Sequence, residues 1–180
     1  MRARKLVAGA ALAVVVALAG CSVHPGAAAV VDGREITPDQ VEVATTQLAQ
    51  VLQSAEGGTL GEQAILQFLI DAPYYAAAAD DAGVGIELDE ARDLMDENLA
   101  GRGLEPVAWS DESVAVGRHV LVLNALVGLD DGGAAAAAGE DAALAADVTV
   151  NPRYGQRDPE TGFIGDLAPD WIVAATGAGQ

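Results

Sequence analysis

The spacing of apolar residues predicts a series of short helices with small extended segments at either end. Val41, Ala44, Leu48 and Val51 recur every three or four positions, which indicates a first helix that ends near Gln53. The same pattern predicts four further helices: from Thr59 or Leu60 to about Asp81, Asp89 to Ala100, Ser110 or Asp111 to Gly128, and Ala134 to Ala146. Short apolar runs at 29–31 and 147–150 are typical of strands.

The start of the first helix carries strong local signals. Thr37 suits the N-cap, Pro38 suits the first helical position, and Gln40 completes a capping box with Thr37. Ile36 and Val41 are spaced as a hydrophobic staple across this start. The sequence therefore predicts a sharply defined helix end just after the first extended segment.

The second helix is apolar around nearly its whole circumference, which indicates a central, buried position. Gln63, Gln67 and Asp71 fall four apart and form a narrow polar stripe on it. Pro73 lacks the backbone donor that a helix interior uses, so we expect a kink around residues 69–73. The sequence leaves open whether Pro73 kinks one continuous helix or divides two.

The first 20 residues have the layout of a secretory leader. Three basic residues, Arg2, Arg4 and Lys5, precede an apolar stretch from Leu6 to Leu18, which is too short to span a bilayer. Small residues lead to Cys21, the single cysteine, and this placement resembles a bacterial lipobox. The resemblance implies cleavage before Cys21, attachment of lipid to its sulfur, and anchoring at the outer face of the cytoplasmic membrane.

Charge narrows the classes of partner. The chain has 27 acidic and nine basic residues, a net charge of −18, and loss of the three basic residues in the leader would make this −21. Phosphate binding needs a basic surface, so nucleic acid is excluded as a partner. A solvated acidic surface is the simplest interpretation, and a preference for basic clients or divalent cations is the alternative.

Signatures of enzymes and cofactors are missing from the sequence. It has no nucleophile elbow, zinc-protease motif, phosphate-binding loop or dinucleotide fingerprint, so we predict a non-enzyme without a cofactor or metal. Aromatic and apolar residues could instead line a peptide groove between the second and fourth helices, since aromatic residues anchor interfaces. The candidates are Phe68, Tyr74, Tyr75, Trp109 and Leu123, and core packing is the alternative role for each.

The order of these elements resembles the SurA/PrsA-type N-terminal chaperone domain. The segments that carry the resemblance are 29–37, 65–70, 85–86 and 148–155. The resemblance implies a mainly α domain of four to five helices, closed by antiparallel pairing of Val30–Val31 with Val148–Val150. It divides the chain into a leader (1–20), a tether (21–28), the helical domain (29–155) and an irregular tail (156–180).

The resemblance also implies a function, namely the holding of unfolded or extended exported polypeptides without ATP. Larger members of the family carry an additional prolyl isomerase domain, and the space before Val148 is too short for one, so we expect no isomerase activity. The alternative is an envelope scaffold lipoprotein with one dedicated protein partner. Breadth of binding separates the two, because a chaperone binds many unrelated chains weakly and a scaffold binds one partner stoichiometrically.

Overall fold

The computed structural model describes residues 26–52, 60–130 and 132–166. These residues form a mainly helical domain with a small antiparallel sheet, as predicted. The helices are α1 (Pro38–Leu48), α2 (Glu62–Asp81), α3 (Leu88–Gly101), α4 (Asp111–Val127) and α5 (Ala134–Ala145). The strands are β1 (Ala29–Val31), β2 (Arg34–Ile36), β3 (Val148–Val150), β4 (Gln156–Arg157) and β5 (Ile164–Gly165). Cys21 lies outside the described residues.

The predicted pairing of the two ends of the domain is confirmed. The sheet has the order β2-β1-β3, and β1 pairs antiparallel with β3 so that Val30 lies opposite Thr149. β1 and β2 are joined by a tight turn in which Asp32 and Gly33 have φ angles of 48° and 80°. Positive φ at both central residues is what a type I′ hairpin turn requires, which explains the Asp-Gly pair.

The predicted start of α1 is also confirmed. The Thr37 hydroxyl accepts from the Gln40 backbone N–H at 3.3 Å, and the Gln40 side-chain oxygen accepts from the Thr37 N–H at 2.8 Å. Ile36 and Val41 are both buried at this point. The predicted end near Gln53 is wrong, because α1 stops at Leu48 and residues 49–51 form turns.

α2 is the central element of the domain. It packs against α1, α4 and α5, and its side chains Ile65, Leu66 and Ile70 are almost completely buried. It runs through Pro73 as one helix, which settles the question that the sequence left open. A Cβ atom added to Gly139 would lie 3.0 Å from Cδ1 of Tyr75, so a glycine in α5 lets the two helices approach closely.

The polar stripe of α2 holds the segment that follows β3. Gln63 Nε2 donates to the Tyr154 carbonyl at 3.0 Å, and Gln67 Oε1 accepts from the Ile164 N–H at 2.9 Å. Ile164 belongs to a hairpin of β4 and β5, so the expectation of an irregular tail from residue 156 is wrong for residues 156–165. Tertiary contacts with α2, which a local pattern does not reveal, hold this hairpin.

The start of the folded body differs slightly from the expected boundary. Ala27 and Ala28 belong to the predicted tether, yet both are buried. The Ala28 N–H donates to the Ile36 carbonyl at 2.7 Å, and its carbonyl accepts from the Asn151 N–H at 2.9 Å. Residues 27 and 28 are therefore part of the packed domain.

Candidate functional site: a groove between α2 and α4

A cavity of about 310 Å³ lies between α2 and α4, at the position where the sequence analysis placed a groove. Its walls come from β2, the start of α1, the middle of α2, the start of α3 and the first half of α4. The lining residues are Arg34, Ile36, Gln40, Leu69, Ala72, Pro73, Leu88, Asp111, Glu112, Ala115 and Arg118. The lining is mostly apolar, with charged groups at the rim.

Pro73 shapes the α2 wall of this groove. A proline has no N–H, so the carbonyl four residues earlier, that of Leu69, loses its helical partner. The Nη2 atom of Arg34 donates to this carbonyl at 3.4 Å, which compensates for the lost bond. Arg34 thus links β2 to the middle of α2 across the groove, and it does so from an exposed position.

The acidic side of the rim is held in place by α1. Gln40 uses its oxygen in the cap of α1 and donates from Nε2 to Glu112 Oε1 at 2.7 Å. Partial burial raises the pKa of Glu112, but hydrogen bonds from Gln40, its own backbone and Ser110 outweigh it and leave the pKa below its usual value. Glu112 is therefore a fixed carboxylate at neutral pH.

The second arginine of the groove is also occupied by contacts within the fold. The Nε atom of Arg118 donates to the Ile86 carbonyl, and its Nη2 atom lies 4.0 Å from Asp80. Asp111, in contrast, is 96% exposed, and its Oδ1 atom lies 3.5 Å from Nη2 of the partly exposed Arg92. The freely exposed charge on the α4 side of the groove is therefore negative.

None of the five residues proposed from the sequence lines this cavity. Phe68 and Tyr75 lie together on another side of α2, around His119 of α4, whose ring centre is 5.2 Å and 5.0 Å from theirs. His119 is 4% exposed, and burial lowers its pKa from 6.5 to about 4. Its Nδ1 atom has no hydrogen-bond partner among the described residues.

The other three proposed residues are separate from one another. Trp109 is 7% exposed and donates from Nε1 to Asp96 at 2.7 Å, so it fixes the segment between α3 and α4. The Tyr74 hydroxyl donates to Asp32 at 2.6 Å, and burial together with this carboxylate raises the pKa of Tyr74 to about 12. Leu123 is half-buried in α4. For Trp109, Phe68 and Tyr75, core packing is the role that the geometry supports.

A smaller cavity of about 110 Å³ lies where the β4–β5 hairpin meets α2 and α5. Gln67 donates to Asp71 at 2.8 Å in its wall, and burial raises the pKa of Asp71. Arg157 donates from Nη2 to the Ala143 carbonyl at 2.8 Å, which ties the hairpin to α5. These polar groups fasten the hairpin, and we assign them a structural role.

The residues that line the groove were not predicted from the sequence, although Pro73 gives one signal for them. A proline inside a helix leaves the carbonyl at i−4 free, so Pro73 points to Leu69. The small side chains Ala72 and Ala115 leave the space open, and an alanine in an alanine-rich chain carries no signal by itself. Arg34 is identified only by the fold, which brings its guanidinium group to the Leu69 carbonyl of α2.

Within residues 26–52, 60–130 and 132–166, no helix is long and apolar enough to cross a membrane. The same residues contain no group of three or more histidine, cysteine or acidic side chains arranged to hold a metal ion. No protein-family model, curated protein or solved structure matches this chain.

Proposed function

We propose that this protein is a membrane-anchored extracytoplasmic lipoprotein that binds extended segments of exported polypeptides without ATP and without isomerase catalysis. The observation that carries the binding part of the proposal is the mostly apolar groove between α2 and α4. The leader, Cys21 and the resemblance of the motifs to the SurA/PrsA-type domain support the location and the class of client.

The size of the groove favours short, weak contacts. Its volume of about 310 Å³ lies at the small end of the range for ligand pockets, which is enough for one or two apolar side chains. A few buried side chains give modest affinity after the cost of ordering the client. Such binding exchanges quickly, which suits a holding function that has no nucleotide to drive release.

Suppression of aggregation tests this function. The protein as its cells produce it, placed in nanodiscs of neutral lipid, should reduce light scattering by several unrelated refolding proteins at modest molar excess. Ala115→Trp should abolish the effect, because the indole would fill the groove from its α4 wall. Ala142→Trp is the matched control, since Ala142 is exposed on α5 and lines none of the cavities described.

The outcomes separate the two functions under consideration. Suppression of several clients that is lost in Ala115→Trp and kept in Ala142→Trp supports general holding of unfolded chains. No suppression of any client by the unaltered protein contradicts it. Stoichiometric cross-linking in cells to a single folded partner would then favour the envelope scaffold.

The lipid anchor is tested independently of the groove. Cys21→Ser should leave an unprocessed chain that is longer than the mature protein and lacks acyl groups, because only the thiol accepts the lipid. Intact mass spectrometry of both proteins from the membrane fraction measures this. An unaltered protein that retains Met1 and carries no acyl mass would refute the anchor.

A further inference from the structure

The strand β2 forms one edge of the small sheet and borders the groove. In the sheet order β2-β1-β3, β2 has β1 on one side, and among the described residues no strand pairs with its other side. Edge strands present unpaired backbone groups that another extended chain can use. Two residues of this strand, Arg34 and Ile36, also line the groove.

The hydrogen-bond register shows which backbone groups face outward from β2. The Asp32 N–H donates to the Asp147 carbonyl and the Ala28 carbonyl accepts from the Asn151 N–H, so these even-numbered positions bond to the β3 side, and the Ala28 N–H alone turns to the Ile36 carbonyl at the start of the strand. The odd-numbered residues Ala29 and Val31 therefore face β2, opposite Ile36 and Arg34. In an antiparallel pair, hydrogen-bonded and non-bonded positions alternate, so the N–H and C=O of Glu35 point away from the sheet.

The alternation of side chains along a strand determines which residues of a chain added at this edge would point into the groove. Arg34 and Ile36 face the groove, and Glu35 faces the opposite side of the sheet because successive residues alternate. Residues directly opposite each other on neighbouring strands share a face. A residue opposite Glu35 would therefore lie next to its carboxylate, and the residues on either side of it would point into the groove.

Charge identifies the chemistry of that chain. Glu35 is exposed on β2, and exposed Asp39, Asp89 and Asp111 stand beside the α1, α3 and α4 walls. The whole chain has a net charge of −18, so a second copy would be repelled and a basic segment attracted. Opposite charges directly across two strands stabilise the pair.

We propose that an extended polypeptide segment with alternating apolar and basic residues adds as a strand to the outer edge of β2, with its apolar side chains in the groove. Its basic side chains face Glu35, and its backbone bonds to the N–H and C=O of Glu35. This inference rests on the proposed function, whose client it specifies as basic and whose binding it assigns to strand addition. With two backbone bonds the complex is weak.

Backbone-methylated peptides test the geometry without altering the protein. The probe is a fluorescent peptide of about ten residues in which valine alternates with lysine, measured by fluorescence anisotropy with the protein in neutral nanodiscs. For antiparallel addition, N-methylation at the lysines removes the donors that face β2 and should weaken binding about fivefold per lost bond. The N–H groups of the valines would face solvent, so N-methylation of the valines should have little effect on binding. Parallel addition would reverse the two results, and equal effects would overturn strand addition.

Two variants at Glu35 test the assigned residue. Glu35→Pro removes the outward N–H and should weaken binding of the lysine peptide about fivefold, whereas Glu35→Ala keeps that donor. Glu35→Lys should reverse the preference, so that a valine–glutamate peptide binds better than the valine–lysine peptide. Asp93→Lys is the matched control, because Asp93 is exposed on α3 away from the groove. An unchanged preference in Glu35→Lys would overturn the charge argument.

The results distinguish failure of this inference from failure of the proposed function. If Ala115→Trp abolishes peptide binding and both methylated peptides bind equally, the groove binds clients and strand addition is refuted. If the unaltered protein neither binds the peptide nor suppresses aggregation, the proposed function itself fails. Concentration-dependent formation of dimers that Glu35→Pro abolishes would show that a second copy, and not a client, occupies the edge.

Discussion

His119 should make the stability of the fold depend on pH in a range where few other groups titrate. Burial between α2 and α4 lowers its pKa from 6.5 to about 4, so the native state holds the neutral ring. The unfolded chain binds a proton to this residue near pH 6.5, and the native chain does so only near pH 4. The contribution of His119 to stability is therefore complete above pH 6.5 and is lost progressively as the pH falls towards 4.

The size of this effect follows from the two pKa values. A tenfold difference in proton affinity corresponds to about 1.4 kcal/mol, so the free energy of unfolding should fall by about 2 kcal/mol between about pH 7.5 and about pH 5. Asp71 and Glu140 lie near Tyr75, which packs on the histidine. The raised pKa of Asp71 changes the free energy of unfolding in the opposite direction. Asp71 binds a proton more tightly in the native state than in the unfolded chain, so its protonation stabilises the native state as the pH falls.

A comparison of variants removes these other groups from the measurement. Urea unfolding of the unaltered protein and of His119→Phe, followed by circular dichroism across this pH range, gives two stability curves. The ring of phenylalanine keeps the contacts with Phe68 and Tyr75 and cannot bind a proton, so its curve should be flatter by about 2 kcal/mol. His119→Leu provides a second non-titrating variant. Parallel curves for all three proteins would refute a buried neutral histidine.

Three further predictions concern the backbone around the sheet and the helix starts. Arg34→Ala should lower the free energy of unfolding by about 1 kcal/mol in the unaltered chain, and by much less in a chain that also carries Pro73→Ala, because alanine restores the helical N–H that bonds to the Leu69 carbonyl. Equal losses in the two backgrounds, measured by thermal unfolding, would contradict this. Thr37→Ala should lower the free energy of unfolding by about 1 kcal/mol through loss of the cap. Urea unfolding should show no such loss for the control Thr46→Ala, which lies exposed in the last turn of α1. Gly155→Ala should loosen the β4–β5 hairpin, because φ is 119° at this position and the new Cβ would collide with the carbonyl of Gly165 in β5. We expect faster amide hydrogen exchange that is confined to the hairpin, and a uniform loss of protection across the domain would contradict this.

The parts of the fold that the sequence predicted well are those set by local chemistry. The capping box of Thr37 and Gln40 fixed the start of α1, and the left-handed requirement of the turn explained Asp32 and Gly33. Both signals act within four residues, so no knowledge of the tertiary structure is needed. The antiparallel pairing of β1 with β3 spans the domain and was predicted only through resemblance to a family.

Predictions failed where tertiary contacts decide the outcome. The hairpin of β4 and β5 has strands of two residues each, which is too short for any periodic pattern to appear. Contacts with other elements hold it, among them the hydrogen bonds from the Ile164 N–H to Gln67 of α2 and from Arg157 to the Ala143 carbonyl of α5. The early end of α1 at Leu48 is likewise not marked by the sequence, since residues 39–52 contain no glycine or proline.

The lining of the groove shows why aromatic residues were a poor guide to the cavity between α2 and α4. This chain has only seven aromatic residues, and a domain without a disulfide within its described part needs them for its core, as Trp109 and Phe68 illustrate. The groove instead arises where the small side chains of Ala72 and Ala115 leave space beside Pro73, whose missing N–H leaves the Leu69 carbonyl to Arg34. Under the proposed function, this surface would offer a client its shape and the outer edge of β2. We therefore expect affinity to depend on the backbone and charge pattern of the client more than on any single residue of it.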